Sequence, residues 1–129
     1  MTVGISAVNT ADKLLNTIGR SGTTFTAGSL YVKLHLGDPG ASGTSNASAV
    51  TTRYAATFGA SSAGSMALTS MGGTYAMTNT ETISHISLWD ASTSGNFLWS
   101  VALTGSKSVT NGDTLSLTSL TLALTPIAA

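Results

Sequence analysis

From Leu30 onward, apolar residues return at every second position in short runs, and turn-forming residues close each run. Leu30, Val32, Leu34 and Leu36 alternate with Tyr31, Lys33 and His35. Successive side chains of an extended chain point to opposite faces, so a period of two marks a strand with one buried face. Gly37-Asp38-Pro39-Gly40 stops this run with residues suited to a tight turn, and small polar residues follow to Val50. Residues 52–58 place Tyr54, Ala56 and Phe58 on one side. Residues 66–71 and 74–78 flank Gly72-Gly73, which is expected to turn a hairpin.

Residues 84–89 and 96–103 are apolar runs joined by Asp90-Ala91-Ser92-Thr93-Ser94-Gly95, a hairpin with a longer loop. Phe97, Trp99, Val101 and Leu103 share one face by parity, so Trp99 is expected in the core. Trp89 has the opposite parity to Ile86 and Leu88 and is expected to be exposed or in an interface. Asn111-Gly112-Asp113 is a second tight turn. Leucine parity then switches between Leu115 and Leu117 on one side and Leu120, Leu122 and Leu124 on the other. A one-residue bulge at Thr118-Ser119 would keep all five facing the core, and Pro126 would end the strand.

About six to eight short strands spaced roughly ten residues apart predict a mainly β chain, an antiparallel β-sandwich or jelly roll. One short N-terminal helix precedes it. Ala7, Ala11, Leu14, Leu15 and Ile18 form a single apolar stripe at helical spacing. Asn9 or Thr10 is placed to cap it, Asp12 sits in the first turn where its charge suits the helix dipole, and Gly19 is placed to end it. A helix this short needs something to pack against. The expected organisation is one domain over residues 1–129, with a helix at about 9–18 and the β-sandwich at about 29–125.

Composition narrows the function. Five Lys+Arg balance five Asp+Glu, and only 8 % of residues are charged. A nucleic-acid groove needs a basic face, so nucleic acid is not an expected partner. With 22 Thr and 19 Ser, nearly a third of the chain carries a hydroxyl, which keeps strand surfaces hydrated without charge. No cysteine is present, which removes disulfides and thiolate chemistry. The first residues have no basic or apolar secretory signature, and no apolar run approaches the ~20 residues of a membrane helix, so no membrane partner is expected.

No constellation dictates a reaction. His35 and His85 lie in different strands, and a metal site would have to recruit both with Asp38, Glu81 or Asp90. Serines are too common for a Ser–His pairing to be read from sequence, and Gly59-Ala60-Ser61-Ser62-Ala63-Gly64 is not a nucleophile elbow. Asp12, Asp38, Asp90 and Asp113 have turn or helix-start explanations, and Glu81 alone has none. Neither phosphate-binding glycine pattern occurs. Asn46-Ala47-Ser48 is a formal glycosylation sequon without a secretory signal. Arg53 and Lys107 stand alone as solvated charges. Trp89, Trp99, Tyr31, Tyr54 and Tyr75 are the candidates for a sugar-stacking platform. Catalytic, cofactor-binding and metal-ligating residues are all expected to be none, with no cofactor and no enzymatic activity.

The run Tyr31 to Asn46, with its Leu34-His35-Leu36-Gly37-Asp38-Pro39-Gly40 turn, resembles small virion proteins of tailed bacteriophages, often labelled tail fibre or minor tail proteins. Thr52-Arg53-Tyr54, Ile83-Ser84-His85-Ile86-Ser87-Leu88-Trp89-Asp90-Ala91, Gly95-Asn96-Phe97-Leu98, Ala102-Leu103-Thr104 and Gly112-Asp113-Thr114-Leu115 extend the likeness, which spans Leu30 to Leu124. Many of these proteins carry an acid after the Thr-Ser-Asn, where this chain has Ala47. The resemblance implies a non-enzymatic structural protein on the outer surface of a virion, made in the host cytoplasm. Its expected partners are other virion proteins and copies of itself, as a homotrimer. No shaft-like repeat or coiled coil is legible, so capsid decoration is the leading role. A minor tail or tail-fibre module, with glycan contact to the host surface, is the alternative.

Overall fold

The computed structural model describes residues 3–125. After a π-helical turn at Ala7–Ala11 comes helix α1, Asp12–Gly19, and then eight strands. These are β1 Leu30–His35, β2 Tyr54–Phe58, β3 Ser65–Met71, β4 Tyr75–Ala76, β5 Glu81–Trp89, β6 Phe97–Val109, β7 Thr114–Leu115 and β8 Thr121–Ala123. Six of them form one curled sheet in the order β6-β5-β1-β2-β3-β8, with every pairing antiparallel. β1, β2 and β3 follow one another, and β5 returns to lie beside β1, which is the Greek-key arrangement. β4 and β7 pair separately as a second layer.

The alternation read from β1 holds for Val32 and Leu34, but Leu36 is exposed and His35, on the other face, is buried as well. Val32 and Leu34 are buried with Ile83, Ile86 and Leu88 of β5, and Tyr75 and Met77 cover them from the second layer. Ile83 and Ile86 have opposite parity, yet both are buried. A register break between Ile83 and His85 reconciles them. Tyr75 is fully buried and its hydroxyl donates to the Val32 carbonyl at 2.7 Å. Burial pushes that phenol up from its ordinary value, so it stays a neutral donor. The Tyr54 ring meets Tyr75 edge-on, with centroids 5.0 Å apart. Gly73 lies on Tyr54: a Cβ there would sit 2.4 Å from the ring.

Four expectations are corrected. Gly72-Gly73 does not turn a hairpin between β3 and β4. β3 pairs with β2 and β8, so the glycines carry the chain out of the large sheet into the second layer. The leucine parity switch is not a one-residue bulge. The chain ends β7, and its pairing with β4, at Leu115 and rejoins the large sheet beside β3 at Thr121. Leu120 and Leu122 are buried and Leu115 and Leu117 pack against the core, but Leu124 is exposed. Pro126 lies outside the described residues.

The third correction concerns β6. A break in register at Leu98 sets Leu88 opposite Trp99 but Trp89 opposite Phe97. Phe97 is thereby turned to the face away from Val101 and Leu103, while Trp99 stays half-buried against the core. The fourth concerns the helix. The capping side chain is Ser6, which accepts from the Asn9 amide at the start of the π-helical turn, and α1 follows on from Ala11 with no side-chain cap of its own. Asn9 and Thr10 instead reach to β6, and the helix ends at Arg20 without a left-handed glycine. No residue of α1 is buried.

Candidate interaction surface

The face of the sheet opposite Val32 and Leu34 holds a second, partly buried layer, made of the groups the sequence offers as chemistry. Tyr31, Lys33 and His35 of β1 stand opposite Trp89, Ser87 and His85 of β5. The loop from Gly37 to Val50 folds over them: Leu36 N donates to Asn46 O, Ser45 N to Pro39 O and Ser48 N to Leu34 O. Asp38 accepts from the Gly40 amide, as its turn chemistry predicts. Gly43 has a φ of 72° and lies against Phe97, where a Cβ would be 2.3 Å from the ring. Only glycine fits both the backbone conformation and the space.

His35 is fully buried beneath this loop. Its Nδ1 is 2.8 Å from the Ser45 carbonyl, which can only accept, so Nδ1 carries the proton. Nε2, 2.7 Å from Ser87 Oγ, then accepts from that hydroxyl. Ser87 Oγ in turn accepts from Trp89 Nε1 at 2.8 Å. Burial, with the charges of Lys33, His85 and Arg53, pulls the imidazole below its ordinary value against the opposing Ser45 contact, so it stays neutral. This is a Ser–His pair by distance. The hydroxyl already serves two partners in a site with no exposed atom on either Ser87 or His35, and no carboxylate orients the imidazole. The arrangement holds loops together and offers no path to a substrate.

The remaining candidates are similarly committed. His85 contacts Ser84 through Nδ1. Glu81 accepts from Ser48 Oγ and the Ala49 amide, which gives that acid the explanation the sequence withheld. Asp90 accepts from the Asn96 amide and side chain. Burial opposes its charge, but those donors and Lys13 hold the carboxyl below the usual carboxylate range. Among the described residues, no group of three or more His, Asp or Glu is placed to hold a metal.

Trp89 is not exposed: it retains 6 % of its surface. The Arg53 guanidinium sits 3.8 Å from the ring centre, while its Nη1 donates to the Ala91 and Ser94 carbonyls. Arg53 is thus a structural clamp and no isolated charge. Tyr75 is in the core and Tyr54 packs on it, so the aromatics do not converge on a sugar platform.

Several large apolar side chains are left uncovered. Leu15 keeps 66 % and Ile18 84 % of their surface, and Val8 and Leu124 are exposed too. Beside α1 a groove of about 320 Å³ opens between the two edges of the curled sheet. Leu14 and Phe25 line one wall, Trp99 the β6 side, and Met66, Leu122 and Leu124 the opposite side. The stripe predicted for the helix is split: Leu14 lines the groove, while Leu15 and Ile18 face outward instead of packing on the chain's own sheet.

The fold and this surface define a small, mainly β module in which His35, Glu81, Asp90 and Trp89 hold its own loops and which exposes an apolar patch around α1. The family model described as podophage GP4 fiber I protein gp80 matches residues 4–125, and the chain belongs to that family. It is a structural protein of a bacteriophage. No curated protein matches it. No helix among the described residues is long and apolar enough to cross a membrane.

Proposed function

We propose that this chain is a non-enzymatic module of a podophage virion's fibre apparatus, working by packing against other virion subunits through its uncovered apolar surface. The observation that carries the reading is the outward face of α1 together with the groove beside it, in a chain of this fibre family. Exposed residues of this size on one helix stripe are the usual sign of a protein partner. Net charge zero and a surface rich in hydroxyls leave little electrostatic repulsion between copies. Virion assembly is the only activity the reading requires, and it needs no cofactor.

Quantitative mass spectrometry of purified virions, read against the major capsid subunit, tests this. A few copies per particle, with antibody label on the tail, supports the fibre reading and makes host-surface contact the next measurement. A copy number that is a simple fraction of the capsid subunits would move the protein to capsid decoration. Absence from washed particles overturns the virion role.

A further inference from the structure

We infer that the N-terminal arm, residues 3–10, is an exchangeable strand: in the assembled state it caps the β6 edge of a second copy of this chain.

The arm is bound as an added edge strand. Ser6 N donates to Leu98 O and Ser100 N to Gly4 O, both at 2.8 Å, with Ile5 opposite Trp99 between them. Asn9 Nδ2 donates to Phe97 O and Thr10 Oγ1 to Leu98 O, so two side chains of the following turn fasten the same edge. Every acceptor and donor on the β6 side is main chain or Ser100. An open edge of this kind pairs with any strand of suitable sequence, and the one sequence shown to suit it is the chain's own arm.

What ties the arm to its own body is slight. Helix α1 has no buried residue. The segment from Arg20 to Ser29 contains no strand, and among the described residues the backbone of 24–28 makes no hydrogen bond to the sheet. Ten residues extended reach roughly 33 Å, enough to place the arm on an adjacent body. Exchange keeps every hydrogen bond of the closed form, so those bonds do not decide between the two. The difference lies in the entropy of association and in α1. Leu15 and Ile18 are exposed on the chain's own body and would be so in the same seat on a second copy; what exchange adds is a second body, tethered beside the helix, that can pack over them. The inference concerns how copies are joined, and it stands whether the assembly sits on the tail or on the capsid.

The chain has no cysteine, so an introduced pair reports without background. Ile5 and Trp99 are flanked by the two arm bonds and form a non-hydrogen-bonded antiparallel pair, with Cα atoms close enough for a disulfide. The double variant Ile5→Cys/Trp99→Cys, oxidised in its purified oligomeric form, is expected to run as covalent multimers on a non-reducing gel. A disulfide closed within each chain overturns the inference. Trp99 packs on the core, so the wild-type protein supplies a second reading. In a one-to-one mixture of isotope-labelled and unlabelled chains, refolded together, isotope-filtered NMR is expected to show Ile5–Trp99 contacts between chains. Contacts confined to single chains, or a protein that stays monomeric at millimolar concentration, overturn it.

Discussion

His35 Nε2 accepts from Ser87 Oγ at 2.7 Å, and that single contact joins two of the sequence runs that carry the resemblance to phage virion proteins. His35 belongs to the Leu-His-Leu-Gly-Asp-Pro-Gly turn and Ser87 to the Ser-Leu-Trp-Asp-Ala run. Around the pair, Ser45, Trp89 and Arg53 complete a chain of contacts from one loop to the other. Both motifs serve architecture.

The pair makes stability pH-dependent. The folded pKa of His35 lies below the unfolded value of about 6.5, so the unfolded chain takes up the proton first on acidification. The contribution is whole above about pH 6.5 and is lost as pH falls from there through the folded pKa. The slope has an upper limit of about 1.4 kcal/mol per pH unit. Lys33, Arg53 and His85 face the ring and add to the penalty, while Asp90 titrates below this window. Urea unfolding between pH 8 and 5 should show the loss, and His35→Gln should be weaker at pH 8 and flatter across the range. An equal slope in the variant would refute the assignment.

Tyr75→Phe removes one oxygen and leaves the buried Val32 carbonyl without that donor. A loss of about 1–3 kcal/mol is expected, with the fold intact. Tyr75→Ala also opens a cavity under Tyr54 and should lose about 3–5 kcal/mol. Guanidinium unfolding compares the two, and equal losses would mean that the hydroxyl dominates.

Two glycines should respond in opposite directions. Gly43→Ala forces a left-handed conformation and a Cβ into the Phe97 ring, for a combined loss of about 2–5 kcal/mol. Gly19 closes α1 with open space around it, so Gly19→Ala should stabilise by up to about 1 kcal/mol. Thermal melts of the two variants decide.

Leu15→Ser with Ile18→Ser changes side chains that touch little of the chain itself. Stability of the unassembled chain should stay within about 1 kcal/mol of wild type, since each exposed change is worth about 0.5 kcal/mol or less. Incorporation into virions should fall severalfold, measured by complementation of a phage lacking the gene. Normal incorporation would remove α1 from the assembly surface.

Most of the secondary structure was legible in the residues. Alternation in β1, the turn residues at Gly37–Gly40 and the Asn111-Gly112-Asp113 turn are local signals, and they hold because a strand's faces and a turn's backbone are set by adjacent residues. The helix stripe was legible too. What the sequence could not carry was the partner of each face. A one-residue register break at Leu98 turned Phe97 over, and no local pattern announces such a break. Trp89 reads as exposed or in an interface by parity, and only the Arg53 guanidinium over its ring and Phe97 beside it, both from other segments, cover it. Glu81 has no local role because its partners, Ser48 and Ala49, lie more than thirty residues away. Periodicity reports which side of an element a residue is on. What covers that side depends on contacts between distant segments, and it is the tertiary structure that set Leu14 in the groove and left Leu15 and Ile18 facing outward.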